Sequence, residues 1–277
     1  MTLFSGTTPA VTPVFVGGAP RTGTTVLHAL ICTGPRVNDY IAECTYLTGL
    51  MACYDDCLGL FDVHTKYYFD DLSAFAEFHA GTVETFLAKA WERTGKPELL
   101  ALKSPILTLY FHHLARLLPG AKFVVSVRDP RDAILSRVEV AERKGDVAPD
   151  DALHEACLEY AAVYRAVLDN IDAFGDRILF VDYARLVREP DELTRISDFV
   201  DTVDPAAIWT GGLTHPGNHK DTEWATALYG ERMSAASVGR FEGKLSGPML
   251  QTISDLCGDV EEWLRAVQTL RAVQRAA

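Results

Sequence analysis

The stretch Gly18-Ala19-Pro20-Arg21-Thr22-Gly23-Thr24-Thr25 lies between a short apolar run, Pro13 to Gly17, and the helical repeat Val26-Leu27-x-x-Leu30-Ile31. Strand, glycine-rich turn and helix in that order form the skeleton of a phosphate-binding loop. The glycines let the backbone turn tightly, and successive N–H groups at the helix start then face one anion. Loops of this kind that hold a nucleoside triphosphate end in Gly-Lys-Ser/Thr, with Lys on the phosphates and the hydroxyl on Mg²⁺. Here Thr24 stands where that Lys belongs, and the cation, Arg21, lies inside the turn. The loop is poorly equipped for ATP with Mg²⁺ and suited to a single 5′-phosphate-like group. A generic Gly/Thr turn is the plain alternative; the agreement of strand, loop, cation and helix argues against it.

A second anchor lies in Val124-Val125-Ser126-Val127-Arg128-Asp129-Pro130-Arg131-Asp132. An apolar strand ends in Arg128 and a helix opens after Pro130. Ser136 follows Arg128 by eight residues, about two helical turns. An Arg at the strand end and a hydroxyl on the helix can converge on one phosphate, and the planar guanidinium meets phosphate oxygens in pairs. Arg131 and Arg137 suit a solvated helix face equally well.

Around these anchors, Pro13–Gly17, Leu99–Leu102, Lys122–Val127 and Ile178–Asp182 read as buried strands. Helical spacing is expected over Phe75–Thr94, Leu107–Leu118, Arg131–Lys144, Asp150–Phe174 and Pro190–Val200, and over Leu245–Ala277 with an interruption near Gly258. Strands alternating with helices predict an α/β fold: a three-layer sandwich with a central parallel sheet flanked by helices, of the P-loop nucleotide-binding type. One domain over residues 1–277 is expected. The stretch 213–244 loses its periodicity and reads as a lid or substrate loop.

The chain has 277 residues and a formal net charge of −12. Such a balance repels nucleic acid and anionic membranes at long range but leaves room for a local basic pocket. No apolar run is long enough for a signal peptide or a membrane span. The six cysteines form no C-x-x-C pair and fit a reducing, cytoplasmic setting. A homodimer is one assembly compatible with the sequence.

The segment Pro20-Arg21-Thr22-Gly23-Thr24-Thr25 resembles the 5′-phosphosulfate loop of the sulfotransferases that use 3′-phosphoadenosine 5′-phosphosulfate (PAPS), where Pro-Lys/Arg-Ser/Thr-Gly-Thr-Thr recurs. The resemblance implies that Arg21, Thr22, Gly23, Thr24 and Thr25 hold the 5′-phosphosulfate. The family's Arg-x-Pro-x-Asp segment with a following Ser matches Arg128 and Ser136 position for position, which implies a 3′-phosphate site there. Together the motifs call for a nucleotide phosphorylated at both 3′ and 5′ positions. Lys103, ending Ala101-Leu102-Lys103, stands where the family places a Lys that can neutralise charge on the leaving phosphate oxygen.

The cytosolic branch of the family carries its basic His two residues after that Lys, and here that position is Pro105. The branch with tyrosylprotein and bacterial carbohydrate sulfotransferases uses a Glu after the first helix, which implies Glu43 as the base. A Glu at a helix start is the plain alternative. His112 and His113, inside a helix, are weaker candidates, and His215 and His219 remain alternatives in the expected lid. Tyr183, in Asp182-Tyr183-Ala184-Arg185-Leu186, resembles the family's Tyr-Glu-x-Leu segment near the nucleotide, with Ala184 replacing the Glu. Ser237-Val238-Gly239-Arg240-Phe241 resembles a late loop that closes over the cofactor, with Arg240 toward the 3′-phosphate.

The expected activity is transfer of a sulfuryl group from PAPS to a hydroxyl or amine of a small-molecule, sugar or natural-product acceptor. Adenosine 3′,5′-bisphosphate is the product, and the transfer needs no metal. Two alternatives stand beside it. One is a kinase with a degenerate phosphate loop; the other is a nucleotide-binding module without catalysis.

Overall fold

In the computed structural model, residues 11–145, 149–200 and 233–276 are described. Strands β1 (Thr12–Gly17), β2 (Leu99–Lys103), β3 (Lys122–Val127) and β4 (Ile178–Asp182) form one parallel sheet in the order β2-β1-β3-β4. Their near-continuous apolar runs suit strands covered on both faces. On one face Val14, Val16, Ala101, Val124, Leu179 and Val181 pack on helix α1 (Thr24–Ile31) and on Leu193, Ile196 and Phe199. On the other, Phe15, Leu100, Leu102, Phe123, Val125 and Phe180 join a larger core. Helices α2 (Thr45–Gly59), α3 (Leu72–Arg93), α4 (Phe111–Leu117), α5 (Pro130–Lys144) and α6 (Pro149–Leu168) contribute to that core. The expected three-layer α/β sandwich is the observed fold.

The register brings four strand ends together. Val16 pairs with Lys103, Gly17 with Val125, and Val127 with Asp182. The phosphate loop, Lys103, Arg128 and Tyr183 thus leave the same carboxyl edge. The central strands β1 and β3 flank the crevice where open α/β sheets bind ligands.

Several expected elements differ. The anticipated helix 107–118 is a 3₁₀ segment, Ile106–Tyr110, followed by α4. Helix α6 stops at Leu168, short of Phe174, and a 3₁₀ turn, Ile171–Ala173, follows. The last helix, Gly247–Ala276, runs through Gly258 without a break, because one glycine costs only about 1 kcal/mol in a helix interior. Helix α2 had no forecast. The short α7 (Tyr183–Leu186) follows β4, and α8 (Pro190–Val200) has the expected bounds. Residues 213–232 of the anticipated lid, with His215 and His219, lie outside the described residues.

Asn38 secures the free edge of β2. Its amide oxygen accepts from the Ala101 N–H at 2.7 Å, and its amide nitrogen donates to the Ala101 carbonyl at 3.1 Å. Val37 forms a parallel bridge with Leu99 just before it. A side chain thereby continues the ladder that an edge strand otherwise leaves open. His28 also lies 3.1 Å from the Ala101 carbonyl. Asn38→Ala therefore leaves the Ala101 N–H unpaired and the carbonyl with one partner. The expected cost is about 1–3 kcal/mol, read as a lower urea midpoint at unchanged m-value.

Candidate active site

The loop after β1 is held from three sides. Gly18 N–H donates to the Thr108 hydroxyl at 2.8 Å, and the Thr22 hydroxyl donates to the Ala19 carbonyl at 2.7 Å. The Ser126 hydroxyl donates to the Thr22 carbonyl at 2.6 Å. Thr22 is fully buried, so in this conformation its side chain shapes the turn. The donors left for an anion are the first amides of α1, which have no carbonyl one turn earlier. Gly23 caps α1 at φ 95° with no side-chain cap. A Cβ there would stand 2.3 Å from the Tyr183 ring, so glycine is required both by backbone and by space.

Arg21, itself at positive φ, directs its Nε to the Ser136 hydroxyl at 3.2 Å. Its carbonyl accepts from Arg128 Nη1 at 2.9 Å. The loop and the second anchor are therefore one contiguous site. Burial is the largest influence on Arg21, followed by the like charges Arg143, Arg128 and Arg137; together they lower its pKa to about 10. This crowding of cations favours an anionic guest.

Arg128 is buried at the end of β3. Its Nη2 donates to the Ser237 carbonyl, its guanidinium lies 4.9 Å from the centre of the Tyr183 ring, and Asp132 is 3.8 Å away. Burial pushes its pKa down, against the opposing pull of Tyr183 and Asp132. Arg128 Nε is buried with no hydrogen-bond partner among the described residues. An anion such as a phosphate is the acceptor chemistry that this donor lacks, so the residues present fit a bound phosphate.

The segment after Ser234 covers this anchor. Tyr183 and Ser237 share a hydroxyl hydrogen bond at 2.7 Å, and Asp132 accepts from the N–H groups of Gly239 and Phe241 at 2.7 and 3.1 Å. Arg240 pairs with Glu139 at 2.8 Å, so any 3′-phosphate must compete with that carboxylate for it. Sequence reasoning missed Asp132 and Thr108. Both act through backbone amides far away in sequence, which no local pattern reveals.

Lys103 and Glu43 form the other half of the site. Lys103 Nζ lies 2.7 Å from Glu43 Oε1 and donates to the Thr25 hydroxyl at 3.3 Å. The Lys103 side chain is 3% exposed and that of Glu43 49%; the amine is fixed and the carboxylate faces outward. Cys44 N–H donates to the Lys103 carbonyl at 2.9 Å, which fastens the segment carrying Glu43 to the end of β2. His112 and His113 stand instead at the start of α4, in contact with Asp55 on α2.

Residues 13–204 match the model described as the Sulfotransferase family. A Caenorhabditis briggsae protein named for protein-tyrosine sulfotransferase activity is 28% identical over 194 residues, covering 68% of this chain and 65% of that protein. Protein-tyrosine sulfotransferase 1 of Danio rerio is 26% identical over 185 residues, 66% of this chain and 50% of that protein. The chain spans between half and two thirds of the length of these relatives. In fold it resembles the sulfotransferase domain of the curacin biosynthetic pathway, with TM-score 0.58 at 16% identity over 91% of this chain and 98% of that one. It also resembles the sulfotransferase domain of the Synechococcus PCC 7002 olefin synthase, with TM-score 0.55 at 21% identity over 88% of this chain and 94% of that one.

Asp132→Ala removes the acceptor for two amides of the covering segment. Hydrogen exchange at Gly239 and Phe241 should accelerate by about tenfold or more, as expected for the loss of roughly 1.5 kcal/mol of hydrogen bonding, while the β1 and β3 amides stay protected.

Proposed function

The chain belongs to the sulfotransferase family, and from that premise we propose that it moves a sulfuryl group from PAPS to an acceptor hydroxyl. The observation that carries the reading is the junction at Arg21, whose side chain reaches Ser136 while its carbonyl receives Arg128. Two phosphate anchors share one wall, as a 3′,5′-bisphosphorylated nucleotide requires.

In this reading the amides of Gly23, Thr24 and Thr25, with Arg21, hold the 5′-phosphosulfate at the start of α1. Thr22 supports them by holding the turn. Arg128 and Ser136 take the 3′-phosphate, and Arg128 Nε gains the acceptor it lacks. Tyr183 packs against the loop at Gly23 and beneath Arg128, beside the nucleotide. Arg240 joins when the phosphate displaces Glu139.

Transfer is an in-line displacement: the acceptor oxygen forms a bond to sulfur as the bond from sulfur to the phosphate oxygen breaks. Positioning and charge stabilisation carry most of the barrier reduction, by analogy with phosphoryl transfer. Glu43 takes the acceptor proton. Lys103 is bonded to both Glu43 and Thr25. As Glu43 becomes neutral its hold on Lys103 weakens, and the ammonium charge is released toward the leaving phosphate oxygen.

The acceptor we propose is a phenolic hydroxyl of a tyrosine side chain, in place of the small molecules, sugars and natural products read from the sequence. Support comes from the relatives' names and from Tyr46. That exposed ring lies three residues beyond Glu43 and stacks on Phe86 at 5.3 Å, a flat surface for an aromatic acceptor.

Arg128→Ala should weaken binding of adenosine 3′,5′-bisphosphate by roughly 10- to 150-fold in calorimetry, the value of a charge-assisted hydrogen bond. Glu43→Gln should leave that affinity within about threefold and slow turnover by roughly 10² to 10⁴. Equal losses of affinity in both variants contradict the separate roles, and tighter binding of ATP with Mg²⁺ favours a kinase. An acceptor panel of a tyrosine peptide, a small phenol and a sugar, scored by mass spectrometry for added SO₃, tests the acceptor class. The peptide should be modified first, and modification of the sugar alone sinks this part of the reading.

A further inference from the structure

Helices α2 and α4 meet in a side-chain cluster that the transfer reaction does not use. Asp55 lies toward the end of α2, and His112 and His113 are in the first turn of α4. One carboxylate oxygen of Asp55 and one ring nitrogen of each histidine all lie within 4.8 Å of one another. His113 Nε2 is 2.7 Å from Asp55 Oδ1. The two imidazoles have their centroids 3.9 Å apart. His113 is buried, with Tyr54 packed edge-on at 5.2 Å. His112 Nδ1 is buried, with the Leu109 backbone beside the ring. Asp55 is half exposed, with its side chain at 49%, which leaves an entrance from solvent.

We propose that Asp55, His112 and His113 bind a divalent transition-metal cation, with zinc the best match. Two imidazole nitrogens and one carboxylate oxygen are a donor set that zinc accepts, and three protein ligands leave a fourth position for water. Magnesium and calcium prefer all-oxygen sites, and thiolate-selective ions prefer cysteine. Bonds of about 2.0–2.2 Å place tetrahedral ligands roughly 3.4 Å apart. The close Asp55–His113 pair has to open and the longest separation has to shorten. The exposed Asp55 side chain can lengthen its own close pair by a rotamer change.

The position gives the ion a mechanical role. Helix α2 begins two residues after Glu43, and the 3₁₀ segment leading into α4 begins three residues after Lys103. The cation joins the two helices that follow these groups in the chain. Asp55 is ten residues into α2, roughly 15 Å along its axis, so the ion braces the site from a distance and takes no part in the displacement.

The test uses the full chain after chelator treatment, titrated with zinc chloride, with bound metal measured by elemental analysis. One equivalent should bind, raising Tm by several degrees; magnesium and calcium should leave Tm unchanged. Asp55→Asn and His112→Gln should each weaken zinc binding by at least tenfold. Asp55→Asn keeps a side-chain oxygen able to accept from His113, so this variant should keep the metal-free Tm and the affinity for adenosine 3′,5′-bisphosphate. Cobalt(II) in place of zinc should lack the near-ultraviolet thiolate band. Cys53 and Cys57 lie on the same helix, so the variant carrying Cys53→Ser and Cys57→Ser should still bind zinc. Failure to take up one equivalent overturns the proposal, as does loss of zinc in the cysteine variant with retention in Asp55→Asn. Either result leaves the sulfuryl-transfer reading untouched.

Discussion

The buried guanidinium of Arg128 is the group on which the rest of the site depends. A cation removed from water is costly unless nearby groups compensate it. Its compensation comes from four directions: the Arg21 carbonyl in the loop after β1, the Ser237 carbonyl, Asp132 on α5 and the Tyr183 ring on α7. Each partner belongs to a different element, so none can shift alone without leaving the charge exposed to a poorer environment. The loop, the fifth helix and the covering segment therefore hold one another in register. A phosphate arriving here would relieve a donor, Arg128 Nε, that has no partner among the described residues.

On the opposite side of the loop the organising element is a backbone match. Asn38 docks on Ala101, Cys44 donates to the Lys103 carbonyl, and Glu43 is thereby brought against the Lys103 amine. The edge of the sheet and the Glu43–Lys103 ion pair are one structure. Thr25 completes the chain of contacts from Glu43 through Lys103 to the start of α1. A single buried amine thus links the Glu43 carboxylate to the loop after β1.

Much of the frame was legible because its signals are local. Both faces of the sheet are covered, so β3 and β4 appear as mostly apolar runs with the bounds the structure shows. Asp129-Pro130 opens α5 because the Asp129 carboxylate accepts from the Arg131 N–H and proline fits the first helical turn. Helix α2 escaped notice because its three buried side chains, Leu47, Met51 and Tyr54, lie among other apolar residues such as Tyr46, Leu50, Ala52 and Cys53, which blur the helical stripe. Its stability comes from packing on α3, α4 and the 106–110 segment rather than from a broad apolar stripe. The continuous helix 107–118 failed because its apolar residues keep a helical rhythm, yet the first turns tighten to 3₁₀ where Thr108 fits under the loop at Gly17 and Gly18.

The opening stretch, Gly18 to Thr25, determined by itself that a phosphate-loop pattern follows a strand and that the usual triphosphate lysine is absent. Glycine conformational freedom and the polarity of a helix start are properties of the chain's local chemistry, so they can be read in order along it. Only the tertiary structure decided that Thr22 turns inward, that Arg21 reaches Ser136 across 115 residues, and that Glu43 meets Lys103. Those contacts depend on strand register and on which helix faces meet, and such distances in space have no counterpart in sequence spacing.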